Sequence, residues 1–97
     1  MDFGTAIKEL RKYRQLSVRD LAKYANVSTE TIYSAERNES TPSKKTITGI
    51  CKALDISLPI LLIFGLCEED FSPHNRFAFR IIQNPIKEIL IKDDKLF

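Results

Sequence analysis

Two short amphipathic segments set end to end, each opened by a serine and closed by an asparagine, constrain this chain more than any other feature. Ser17 offers a side-chain oxygen to the first-turn amides of a helix. Val18, Leu21, Ala22 and Ala25 follow it at helical spacing. Asn26 then ends the segment, because asparagine is one of the few non-glycine residues that tolerates a left-handed backbone. Val27 is the inward residue of the turn, and Ser28 is a second N-cap. From there Ile32 and Ala35 face inward, while Thr29, Glu30, Tyr33, Ser34 and Arg37 face outward. Asn38 closes the second helix. The small residues Ala22 and Ala25 let the two helices approach closely. The spacing therefore predicts two helices of about eight to ten residues joined by a tight turn over Ser17 to Arg37.

Such a pair cannot bury its own apolar faces and needs further elements around it. Phe3, Ile7 and Leu10, with Tyr13 or Arg14 next, predict a helix over Asp2 to Arg14, with Lys8, Arg11, Lys12 and Arg14 toward its polar side. Glu39-Ser40-Thr41-Pro42 reads as a loop. Ser43 or Pro42 opens a fourth helix that carries Ile47, Ile50, Cys51 and Leu54 on one face. After Asp55-Ile56-Ser57, Ser57 caps a fifth helix from Leu58 to Phe64, with Pro59 in its first turn and Gly65 as its natural stop. The remainder differs in character. Glu68-Glu69-Asp70 reads as an acidic linker, and the alternation of Phe77, Phe79 and Ile81 predicts a strand over Arg76 to Ile82. Asn84-Pro85 is either a turn or the start of a last helix, Pro85 to Lys92, and Lys87 to Ile91 suits strand or helix. The expected architecture is all-α: a five-helix body over residues 1–66 and a C-terminal extension over 67–97, built of strand, helix or both.

A chain of 97 residues makes one compact domain with an appendage. The longest apolar stretch, Leu58 to Cys67, is too short to span a bilayer, and Met1-Asp2-Phe3-Gly4 lacks a secretory layout, so a cytoplasmic location is expected. Cys51 and Cys67 fit no metal or redox spacing and read as small buried thiols. The net charge of +2 is unevenly spread: residues 1–54 hold ten basic against six acidic residues, and residues 55–97 hold five against seven. A basic first part suits a polyanionic partner. His74 stands alone in a Pro-Asn loop, and no nucleophile–base pair, phosphate loop or paired carboxylates accompany it. No enzymatic activity, cofactor or metal is expected.

The run Leu16-Ser17-Val18-Arg19-Asp20-Leu21-Ala22-Lys23-Tyr24-Ala25-Asn26-Val27-Ser28-Thr29-Glu30-Thr31-Ile32-Tyr33-Ser34-Ala35-Glu36-Arg37 resembles the phage-repressor type of helix-turn-helix, the Cro/CI or XRE type. The likeness covers about Phe3 to Leu62. It includes Arg11 in the first helix, the Leu21-Ala22 pair, Val27-Ser28, Ile32 with Glu36, Pro42 after the loop, and Ala53-Leu54-Asp55-Ile56-Ser57. The resemblance implies a lambda-repressor-like fold, a recognition helix from Ser28 to Arg37 in the major groove of double-stranded DNA, and a fold-bracing salt bridge from Arg11 to Glu36. It also implies a homodimer on two half-sites and, by default, repression of transcription.

The departures from that pattern reshape the expected contacts. Val18 stands where the family usually has a phosphate-holding Gln, so the grip passes to backbone amides, Arg19 and Lys44. Asn26 and Asn38 replace the usual glycines and keep the left-handed option. Glu30 either accepts from cytosine or serves as a favourable charge at the helix N-terminus. Tyr33 packs on a thymine methyl or donates to a phosphate, unless it folds back over the domain. The expected DNA-contact set is Arg19, Ser28, Thr29, Glu30, Tyr33, Ser34, Arg37, Lys44 and Lys45, with the start of the fourth helix gripping the backbone. The fifth helix is apolar nearly all round, which predicts a covering partner. Leu58, Leu61, Leu62, Phe64, Phe77, Phe79 and Ile81 are the expected dimerisation residues. The alternative is an antitoxin-type or protein-interaction module whose tail binds another protein or peptide.

Overall fold

Ser17, Ser28, Ser43 and Ser57 each stand at the N-cap of a helix, and left-handed Asn26 and Asn38 follow the two helices of the pair. The computed structural model describes residues 1–92 and builds them from six α-helices: α1 (Phe3–Tyr13), α2 (Val18–Ala25), α3 (Thr29–Glu36), α4 (Lys44–Leu54), α5 (Leu58–Gly65) and α6 (Arg76–Lys92). Two 3-10 turns, Glu68–Asp70 and Pro73–Asn75, join α5 to α6. Residues 93–97 of the expected extension lie outside the described residues. Ser17, Ser28 and Ser43 each accept a hydrogen bond from the backbone amide three residues on, and Asp20 completes a reciprocal capping box with Ser17. Asn26 and Asn38 hold φ of 58° and 56°, the conformation that a β-branched residue would resist. Ser57 sits at the N-cap of α5 without a side-chain bond, and Pro59 in the first turn has no amide to satisfy.

One apolar core holds the first five helices. Ile7, Leu10, Leu21, Ile32, Ile50, Leu54 and Leu61 are fully buried, one or two from each helix. α1 packs on α3 and α5, and α2 packs on α3 and α4. Gly4 lets α1 meet the end of α3: a Cβ there would clash with the Glu36 carbonyl oxygen. Arg14 closes the far end, its guanidinium donating to the Leu54 carbonyl at 2.7 Å and the Asp55 carbonyl at 2.8 Å, at the C-terminus of α4.

The C-terminal segment departs from expectation. Arg76 to Ile82 is not a strand but the first turns of α6, and Asn84-Pro85 lies inside that helix rather than at a turn or cap. A strand here would need a ladder partner for its backbone groups, whereas a helix satisfies them internally. The alternation of Phe77, Phe79 and Ile81 belongs to a longer helical pattern: Arg76, Phe79, Gln83, Lys87 and Leu90 turn toward the protein. Pro85 is on the exposed face, so the carbonyl it leaves without a helical donor is not sealed in the core. Glu68–Asp70 is likewise not a bare linker. The N-terminal ammonium bonds Asp70 at 2.6 Å and the Cys67 sulfur at 3.1 Å.

Two smaller expectations change as well. Gly65 is the last residue of α5 rather than its stop; its carbonyl accepts the Asp2 amide at 2.6 Å, and a Cβ would press on Met1. Cys51 is buried, and burial pushes its thiol pKa up, but Cys67 is only half-buried beneath the N-terminus.

Candidate nucleic-acid interface

The turn between α2 and α3 is fixed by its own backbone. The Val27 amide bonds the Ala22 carbonyl at 3.0 Å, and the Asn26 amide bonds the Lys23 carbonyl at 3.2 Å. α3 is then braced from behind. Arg11 grips Glu36 with two hydrogen bonds, Nε to Oε2 at 2.6 Å and Nη2 to Oε1 at 3.1 Å. Its third nitrogen donates to the Leu16 carbonyl at 2.9 Å, just before Ser17. One side chain thereby ties α1, the entry to α2 and the end of α3 together. The pair is 12% and 7% exposed, and Glu36 foremost holds the guanidinium above its ordinary pKa.

Asn38 adds a second brace that its left-handed backbone alone does not reveal. Its side chain accepts the Gly4 amide at 3.0 Å and donates to Asp2 at 2.8 Å. Asp2 also takes the Thr5 hydroxyl and amide, and these contacts, led by the hydroxyl, lower its pKa. The close approach at Gly4 is the sequence signal for this brace.

With its back fixed, α3 presents Thr29, Glu30, Tyr33 and Arg37 to solvent and Ser34 half-buried. These residues are partly engaged with one another. Arg37 pairs with Glu39, reaches Glu30 at 3.5 Å, and lies with its guanidinium carbon 5.7 Å from the Tyr33 ring centroid. Its charge is therefore largely balanced inside the protein. Tyr33 stays on the outward face, 45% exposed. Ser28 spends its oxygen on the Thr31 amide and lies 2.8 Å from the Thr31 hydroxyl. Arg19 is exposed in the first turn of α2.

Beside the turn lies a shallow groove between Ala25-Asn26-Val27 and α4, rimmed by Lys44, Lys45, Thr48 and Lys52. The three lysines are exposed, and among the described residues none has a carboxylate within ion-pair range. The arrangement suits phosphate oxygens, with the start of α4 adding its dipole. Lys52 is absent from the expected contact set. Its spacing of seven or eight residues from Lys45 and Lys44 puts it on their face of α4, and that is the signal that could have found it.

A family model described as "Helix-turn-helix" matches residues 7–61. The chain belongs to the helix-turn-helix family of the phage-repressor, or XRE, type. Among curated relatives, a protein of Methanococcus vannielii named "Putative HTH-type transcriptional regulatory protein" is 42% identical over 55 residues. Similarly named proteins of Methanococcus maripaludis are 38% identical over the same length. These matches cover 57% of this chain and 17% of each relative. No solved structure matches at comparable significance.

The matched helix-turn-helix region contains the candidate DNA-contact set and ends at Leu61. The expected dimerisation residues divide in two. Leu61, Phe64 and Phe79 are buried within the chain and Leu62 is half-buried; Leu58, Phe77 and Ile81 are exposed. Phe79 stacks on Phe71 with centroids 4.7 Å apart, and Lys87 of α6 lies over the Phe64 ring at 5.5 Å. The face of α5 that sequence alone leaves bare is largely covered by the chain itself. Among the described residues no single helix is long and apolar enough to cross a membrane.

Proposed function

We propose that this protein is a sequence-specific double-stranded DNA-binding repressor that acts in the cytoplasm as a homodimer, with α3 in the major groove. The observation that carries the reading is the outward face of α3 set beside the lysine-rimmed groove at α4. Thr29, Tyr33 and Ser34 meet base edges or adjoining phosphates. Lys44, Lys45 and Lys52 hold the backbone, joined by Arg19 at the start of α2. Ser28 contributes chiefly by orienting α3. Glu30 and Arg37 act as a pair, opening toward a base and a phosphate when DNA displaces their mutual contact. Residues 1–66 form the DNA-binding body, and residues 67–97 supply dimer contacts.

A gel shift on the DNA upstream of the protein's own gene, run across a salt series, tests this reading. Affinity should fall steeply with ionic strength through counterion release. A Thr29→Ala/Tyr33→Ala variant should bind at least about tenfold more weakly, since each base contact contributes roughly 1–3 kcal/mol. Wild-type affinity in that variant would sink the assignment of α3. A second reading, an antitoxin-type module that also binds a partner protein, is favoured by one observation: the outward side of α6 is apolar and exposed.

A further inference from the structure

We infer that two copies of this chain associate through the outward stripe of α6, formed by Ala78, Ile81, Ile82, Pro85, Ile86 and Ile89. The inference rests on the homodimer reading above and moves its contact surface away from α5. α6 meets its own body with Phe79, Gln83 and Leu90, which lie on one side of the helix. At about 100° per residue, the stripe is centred about 110° round the helix from that side. Ile81, Ile82 and Ile89 are 57, 54 and 56% exposed and Ile86 37%, and Ala78 and Pro85 are exposed as well. Phe77, 68% exposed, lies beside Ile81 at the edge of the stripe.

Area argues for a second copy. At roughly 150–200 Å² for a fully exposed large apolar residue, the four isoleucines present about 300–400 Å² per copy. Ala78 and Pro85 bring the total from both copies to about 800–1,000 Å², the small end of specific interfaces. Charge argues the same way. A twofold contact sets a surface against itself, so any charge within it meets its like. The six stripe residues carry none, and the exposed charges that border them at the C-terminal end, Glu88 and Lys92, are opposite in sign. The described contacts of α6 run to the two 3-10 turns, α1 and α5. Pairing through its outer side leaves α3 and the start of α4 open to DNA.

Sedimentation equilibrium of the full chain without DNA tests the stripe apart from the DNA reading. Wild type should dimerise at micromolar concentration. Ile82→Glu/Ile89→Glu should raise the dissociation constant about 100-fold or more, with helix content by circular dichroism unchanged. If the charges instead unwind α6, Ile82→Gln/Ile89→Gln should weaken the dimer while keeping the helix. A monomeric wild type overturns the proposal, including one that pairs only with a second protein. So does a dimer that survives both double variants or is broken by Leu58→Glu alone. A dimer that binds no operator sinks the DNA reading and leaves the stripe intact; a monomer that still binds DNA does the reverse.

Discussion

α5 and α6 are both rich in apolar residues, yet the chain treats them oppositely. α5 is apolar nearly all round, and it buries Ile60, Leu61, Phe64 and Gly65 among its eight residues. α6 has seventeen residues and buries only Phe79. The apolar character of a helix thus does not tell whether it is covered; its neighbours do. α5 is enclosed because α1, α4 and the N-terminus close over it. α6 packs on the two 3-10 turns before it and leans on the outer side of α1 and α5, and Phe77, Ile81, Ile82, Ile86 and Ile89 stay exposed.

The contrast between a tightly held body and a lightly held α6 can be broken or sharpened by experiment. Leu10→Ala, in the fully buried core, should cost about 3 kcal/mol in denaturant unfolding. Leu90→Ala, on the half-buried side of α6, should cost about 1 kcal/mol. Equal costs would mean that α6 is as much a part of the core as α1.

Glu36→Ala leaves the Arg11 guanidinium nearly buried without its carboxylate and should cost about 2–3 kcal/mol. The exposed Glu30→Ala should stay within about 0.5 kcal/mol by the same measurement. This pair of results separates a brace from a surface contact on the same helix.

Lys44→Glu/Lys45→Glu should weaken DNA binding about 10- to 100-fold on all sequences alike and flatten the salt dependence by about two counterions. Reversing Arg80 on α6 should leave that salt slope unchanged. Parallel titrations against two salt series would show whether the body alone carries the phosphate grip.

The smallest effect is expected at the clasp between the N-terminus and the turn before α6. Hydrogen bonding first to Asp70 and then to Cys67 raises the ammonium pKa from 8.0 to about 10. A value raised in the folded state adds stability that is whole below pH 8.0 and is lost as pH climbs through about 10. Asp70 is held below its ordinary 3.8, chiefly by the ammonium, so its share is lost only as pH falls through the acid range beneath that. Asp70→Asn should lower Tm slightly near neutral pH, and the gap from wild type should close above about pH 10. A gap that persists there would mean the clasp does not act through the ammonium.

The caps at Ser17, Ser28 and Ser43 and the left-handed Asn26 and Asn38 were legible because a cap is local: one side chain meets an amide three residues away. Arg11 with Glu36 was legible only through the family resemblance, since the two residues lie 25 apart in the chain. The strand expected at Arg76 to Ile82 misled because three alternating apolar residues fit period two as well as one turn of a longer helix. The sharing of Arg37 among Glu39, Glu30 and Tyr33 is settled by the turn that ends α3, and the groove beside Lys52 by α2 meeting α4 in space.

The sequence by itself determined the helix-turn-helix, because its capping residues and apolar spacing act within a few residues of chain. Only the tertiary structure decided which apolar helix is covered, what lies beside the lysines of α4, and where α6 turns its bare side. Those outcomes depend on groups brought together from distant positions, and no local preference encodes them.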